Sequence, residues 1–175
     1  MADRRTFWPT VLVGAGVSAL AAVGAARPWA TASNSAPDAA KGSDVAPLAL
    51  ALALVALASW GAVLVTRLRG RRVASLLGLL ASAGAAAVVL LSREEAQDAA
   101  EANTIGPAWR ASASITEWFY VAGLTSAVAG LLFLAALKWA PGWPEMGTRY
   151  DAPKTEQSDQ ADLWKSLDEG HDPTA

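Results

Sequence analysis

The residue types able to do chemistry in this 175-residue chain gather at a few places. Four arginines, Arg67, Arg69, Arg71 and Arg72, crowd the segment RLRGRR, a short basic run that cannot avoid the membrane surface and sets the orientation of the chain. Glu94, Glu95, Asp98 and Glu101 recur at helical spacing in SREEAQDAAEAN, a pattern that could gather a divalent cation but repels itself without one. Eight tryptophans offer flat apolar rings with one N–H each, suited to stacking on an aromatic solute or to anchoring at a lipid–water boundary. Cysteine is absent, which excludes disulfides, thiol nucleophiles and Cys-ligated metals, and the single histidine, His171, has no second histidine with which to share a metal. No stretch carries a nucleophile–base set, an intramembrane acid–base pair, a phosphate loop or a cofactor motif. The chain is therefore read as non-enzymatic, with no cofactor, no metal and no nucleic-acid partner.

What must position these residues is set by where charge is forbidden. Every Lys, Arg, Asp, Glu and His lies outside four apolar windows, 7–26, 47–66, 73–91 and 118–137. Each is about twenty residues long, and at about 1.5 Å per residue spans about 30 Å, the thickness of a bilayer's hydrocarbon core. A soluble fold would keep a polar stripe along its helices, whereas residues 46–65, APLALALALVALASWGAVLV, have no hydrophilic face at any helical angle. The expected fold is an all-α integral membrane protein: a four-helix transmembrane domain over 1–137, then a largely disordered cytoplasmic tail over 138–175.

Orientation follows from the arginines. A short basic loop stays cytoplasmic, so the turn holding Arg67, Arg69, Arg71 and Arg72 fixes both termini inside a cell (inner or plasma) membrane. Arg4, Arg5, Lys138, Arg149, Lys154 and Lys165 then fall on the same side, leaving only Arg27, Lys41, Arg93 and Arg110 outside. The first window could be mistaken for a signal peptide. It is too long for a signal core, however, and Arg27-Pro28-Trp29 stands where an Ala-x-Ala cleavage site would be, so it is read as a retained span.

Prolines punctuate the windows: Pro9 and Pro47 in opening turns, Pro28, Pro141 and Pro144 beyond helix ends. Asp44 and Thr116 are the expected N-caps of the second and fourth spans. Trp8, Trp29, Trp109, Trp118, Trp139 and Trp143 fall near the boundaries and read as an aromatic belt, while Trp60 lies within the second span and reads as bundle packing. Within the windows, Gly14–Ser18, Gly78–Ser82 and Ser126–Gly130 each place two small residues one turn apart, favouring helix contact. Without intramembrane charge a proton-coupled transporter acting as a monomer is not expected; transport would need a homo-oligomer or a partner. The segment 92–103 has only alanines on any apolar face and is expected to stay solvated.

The tail ends in ADLWKSLDEGHDPTA, where Leu163, Trp164 and Leu167 share one side of a short amphipathic helix that Asp159 can cap. Such a helix is marginal alone and needs a surface: a cytoplasmic protein partner, the bilayer or this protein's own cytoplasmic face.

Four markers resemble one family: Arg27-Pro28-Trp29, the arginine turn, the run from Trp143 to Pro153 (WPEMGTRYDAP) and the run from Asp162 to Thr174 (DLWKSLDEGHDPT). The chain is similar to the tryptophan-associated (tryptophan-operon-linked) transmembrane proteins of actinobacteria. That resemblance implies a link to tryptophan biosynthesis and brings no catalytic or ligand-binding residue with it. Two functions compete: a partner-binding or organising protein acting through its tail, and a membrane protein transporting or sensing tryptophan or an indole-type solute through Trp29, Trp60, Trp109 and Trp118.

Overall fold

The computed structural model describes residues 7–33, 40–104, 112–140 and Trp143, all within a unit that ends at Trp143. Four helices are long and apolar enough to cross a membrane: α1 (Phe7–Ala26), α3 (Pro47–Val65), α4 (Leu68–Leu91) and α6 (Glu117–Trp139). Between them lie two shorter helices, α2 (Gly42–Val45) and α5 (Arg93–Ala102), and three strands, β1 (Pro28–Ala32), β2 (Ala40–Lys41) and β3 (Ala113–Ile115).

The spans pack as a ring in the order α1, α3, α4, α6, so every neighbour runs antiparallel. Side-chain size is distributed inversely to a soluble protein. Ala49, Ala53, Ala56 and Ser59 of α3 point inward, as do Ala74, Ser75, Gly78, Ala81, Ser82 and Ala85 of α4. Leucines point outward: Leu12, Leu54, Leu80 and Leu131 are exposed, Leu80 by 68% of its surface. Lipid solvates leucine as well as protein does, so burying large apolar chains gains little there; small residues instead let backbones approach and dispersion contacts accumulate. The apparently featureless apolar window 46–65 thus does have two faces, distinguished by volume rather than polarity.

Two spans are longer than charge exclusion implies. Only Thr66 and Arg67 separate α3 from α4, so Arg69, Arg71 and Arg72 occupy the first turns of α4 instead of a loop. Similarly, α6 begins at Glu117 and takes in Lys138. Charge marks the edge of the membrane, not the end of the helix, because a long cationic chain reaches outward from a helical backbone. The expected caps also move. Asp44 sits within α2, and Ala46 is the residue that precedes α3. Thr116 does flank α6, but its hydroxyl donates to the Pro28 carbonyl, tying the helix to β1.

The connections fold into a cap over one end of the bundle. β1 is the central strand, antiparallel to β2 (Pro28 opposite Lys41) and to β3 (Ala30 opposite Ile115, Thr31 opposite Ser114). Contrary to the solvated segment expected at 92–103, α5 docks on this sheet, with Ala96 and Ala100 fully buried in one cluster with Trp29 and Phe119. An alanine face suffices because its partner supplies the bulk. Glu94, Glu95, Asp98 and Glu101 remain exposed, and among the described residues no group of three His, Cys, Asp or Glu is placed to hold a metal. Glu101 accepts a hydrogen bond from the Ala113 N–H at 3.3 Å, joining α5 to β3.

Substituting Ala96→Glu should detach α5, since a carboxylate cannot be desolvated against an indole without several kcal/mol of cost or neutralisation. Hydrogen exchange should accelerate across α5 and leave the spans protected, whereas Glu95→Ala on the exposed face should change neither.

Candidate functional site

At the end of the bundle bearing the arginine turn, the four arginines divide by environment. Arg67, Arg69 and Arg72 are exposed, but Arg71 is only 3% exposed. Its Nε donates to the Val63 carbonyl in the last turn of α3 at 3.3 Å. Its guanidinium lies 5.4 Å from the ring of Phe7, which opens α1, and 5.7 Å from that of Trp143, which follows α6. Phe7 and Trp143 themselves meet edge to face at 5.1 Å. One side chain rooted in α4 therefore braces the other three spans. Of the residues read as topology determinants, three stay exposed and Arg71 ties the bundle. Sequence carried a faint signal for this, since 71, 74, 75 and 78 fall on one helical stripe with small residues.

Arg71→Gln should cost about 2–4 kcal/mol, from a charged hydrogen bond and two cation–π contacts. Arg72→Gln should stay within about 0.5 kcal/mol, as an exposed substitution. Thermal unfolding in detergent, followed by loss of the monodisperse elution peak, would rank the two.

Deeper in the bundle, Trp60 of α3 stacks on Phe133 of α6 with ring centroids 4.4 Å apart and planes 20° from parallel. Gly14 of α1 presses on the indole and Gly78 of α4 on the Phe133 ring, so closely that a methyl group at either position would fall inside the neighbouring ring. All six members of the pairs Gly14–Ser18, Gly78–Ser82 and Ser126–Gly130 are buried. Ser59 and Thr125 donate to carbonyls one turn back, Val55 at 2.8 Å and Val121 at 2.6 Å. The hydroxyls of Ser18, Ser75 and Ser82 and the Trp60 indole N–H are buried without a hydrogen-bond partner among the described residues.

The opposite end is built on Trp29, which is fully buried. Its N–H donates to the Gly24 carbonyl at 3.0 Å, closing the last turn of α1, and Phe119 meets its ring edge to face at 5.6 Å. Gly42 gives it room, because any side chain there would collide with the indole. Beside it, the exposed Arg27 holds its guanidinium 5.2 Å from the ring centre of Trp118, which is half-buried at the start of α6.

The tryptophan belt is therefore smaller than boundary position implies. Trp8 and Trp139, exposed by 57% and 43%, fit it. Trp29 and Trp143 do not: both are buried, one in the cap and one against Phe7. Of the four aromatic residues considered as solute contacts, Trp29 and Trp60 lie in separate clusters at different depths, Trp118 flanks Arg27, and Trp109 lies outside the described residues. Of the three that are described, Trp118 packs against the cluster that holds Trp29, and Trp60 belongs to the other cluster. Leu163, Trp164 and Leu167, considered for docking, also lie outside the described residues.

Leucine outside, small residues inside and antiparallel spans of membrane length define a multi-pass integral membrane protein with a folded cap. Within that class, the chain belongs to the tryptophan-associated transmembrane protein family, whose model matches residues 9–174. No curated protein and no solved structure matches it. The family match covers nearly the whole chain, cap and tail included.

Proposed function

We propose that this chain is a non-enzymatic organising protein of the cell membrane, with both termini cytoplasmic, that serves tryptophan metabolism by binding a protein partner through its tail. The observation that carries the reading is how the spans use their chemistry. Trp60, Phe133 and Arg71 are all spent on holding helices together, and Gly14 and Gly78 are pressed against the Trp60 and Phe133 rings. The family supplies the metabolic link. Arg67, Arg69 and Arg72 support a cytoplasmic arginine end, and the α1 start and α6 end share that end through Phe7 and Trp143. The tail pattern Leu163, Trp164, Leu167 supports helix-in-groove docking.

The test is capture of tryptophan-biosynthetic enzymes by the full-length chain in detergent, compared with Trp164→Ala. Retention by the parent and loss by the variant is the expected result. Equal capture removes the docking role. Radiolabelled tryptophan flux in vesicles with and without the protein should be equal; a protein-dependent flux would replace this reading with solute handling.

A further inference from the structure

A recess of about 400 Å³ opens at the cap end of α1, lined by Val23, Ala26, Arg27, Pro28 and Lys41. Its walls differ in character. Val23 and Ala26 are exposed on the last turn of a spanning helix, where acyl chains run, while Arg27 and Lys41 stand just beyond the helix end, at headgroup depth. Arg27 helps to close α1 through its backbone alone. The Gly24 carbonyl takes the Trp29 indole N–H and the Arg27 backbone N–H, and the Arg27 carbonyl takes the Gly42 N–H. The Arg27 side chain instead lies over Trp118, whose ring fixes the guanidinium beside the recess. Lys41 is held by the pairing of β2 with β1. Two cations on a folded sheet corner, above an apolar wall facing lipid, match a molecule with an anionic phosphodiester joined to hydrocarbon.

We propose that this recess binds the headgroup of an anionic glycerophospholipid, with the phosphodiester between Arg27 and Lys41 and one acyl chain along Val23 and Ala26. Guanidinium recognises phosphate oxygens in a forked geometry, and an ammonium adds a point charge. The lipid would fasten the cap to the bilayer on the side opposite the arginine turn. The proposal holds in either leaflet and goes beyond the tail's partner role.

The test uses the full-length chain in phosphatidylcholine vesicles containing a trace of phosphatidylglycerol with a photoactivatable group beside its headgroup. Crosslinked peptides are mapped by mass spectrometry. Crosslinks should concentrate on residues 23–28 and 41, and unlabelled phosphatidylglycerol should compete them away. Excess phosphatidylcholine or millimolar inorganic phosphate should not. Arg27→Gln and Lys41→Gln should each lower the yield about five-fold, and the pair more, while Arg93→Gln, at the same end but outside the recess, should leave it unchanged. Competition by phosphatidylcholine would overturn anion selectivity, and competition by inorganic phosphate alone would overturn the lipid assignment. Equal yield from the double variant, at unchanged helix content, would overturn the site. The competition arms need only the unmodified chain, so they decide the matter even if the double variant does not fold.

Discussion

Replacing Trp29 with alanine will open the cap while leaving the four spans assembled. The ring is fully buried, and removing it deletes the edge-to-face contact with Phe119, the surface on which Ala96 and Ala100 rest, and the indole bond to the Gly24 carbonyl. Large-to-small changes at such positions cost about 3–5 kcal/mol. The full cost applies because the cap stands beyond the span ends, where burial from water drives packing. Hydrogen exchange should accelerate in β1 and α5 together, since both lean on the same ring. Trp29→Phe separates the two contributions: it keeps much of the apolar contact and loses the N–H, leaving the Gly24 carbonyl with a single donor, for about 1–3 kcal/mol. Unchanged protection of α5 in Trp29→Ala would show that the cap is not founded on this residue.

Adding one methyl group at Gly78 will disrupt the bundle, whereas adding one at Gly61 will not. A Cβ at 78 would enter the Phe133 ring, which cannot retreat because it stacks on Trp60, and Trp60 is backed by Gly14. The strain passes through three helices before it can be relieved. Overpacking of this kind costs about 1–3 kcal/mol and more where neighbours are pinned. Gly61 lies on the same type of helix with nothing near its missing Cβ, so Gly61→Ala should be neutral or stabilising by up to about 1 kcal/mol through helix propensity. Unfolding by graded sodium dodecyl sulfate in mixed micelles, read by circular dichroism, measures both. Equal midpoints for the two variants would mean that the ring stack is not tightly held.

These contrasts show what the sequence could and could not disclose. The spans were legible because hydrocarbon excludes charge, a rule that acts residue by residue and needs no knowledge of neighbours. The small pairs at 14 and 18, 78 and 82, 126 and 130 were legible for a related reason, since close approach requires small residues on one face. The start of α4 was not, because a run of arginines has the composition of a loop, whereas the length of the side chain lets it reach water from within a helix. Trp29 and Trp143 lie where belt residues lie, and position along the chain does not distinguish a ring facing headgroups from one buried beneath a folded connection. Strands such as PWATA in β1 carry no alternating pattern and exist because Ala113–Ile115 and Ala40–Lys41 arrive to pair with them. The docking of α5 is similar: its alanines acquire an apolar partner only once Trp29 is in place. Arg71 differs from its three neighbours solely by the stripe it occupies. Local chemistry was therefore readable, and whatever depends on distant segments meeting was not.

The absence of cysteine allows a direct trial of the central claim, that the arginine turn and the α5 cap stand on opposite sides of a membrane. Asp98→Cys and Arg69→Cys place single thiols on exposed positions at the two ends, the latter leaving three arginines of the turn in place. Intact cells treated with a membrane-impermeant maleimide should be labelled at residue 98, and at residue 69 only after permeabilisation. Labelling of both thiols from the same side would contradict the four-span bundle, and labelling of residue 69 alone in intact cells would invert it.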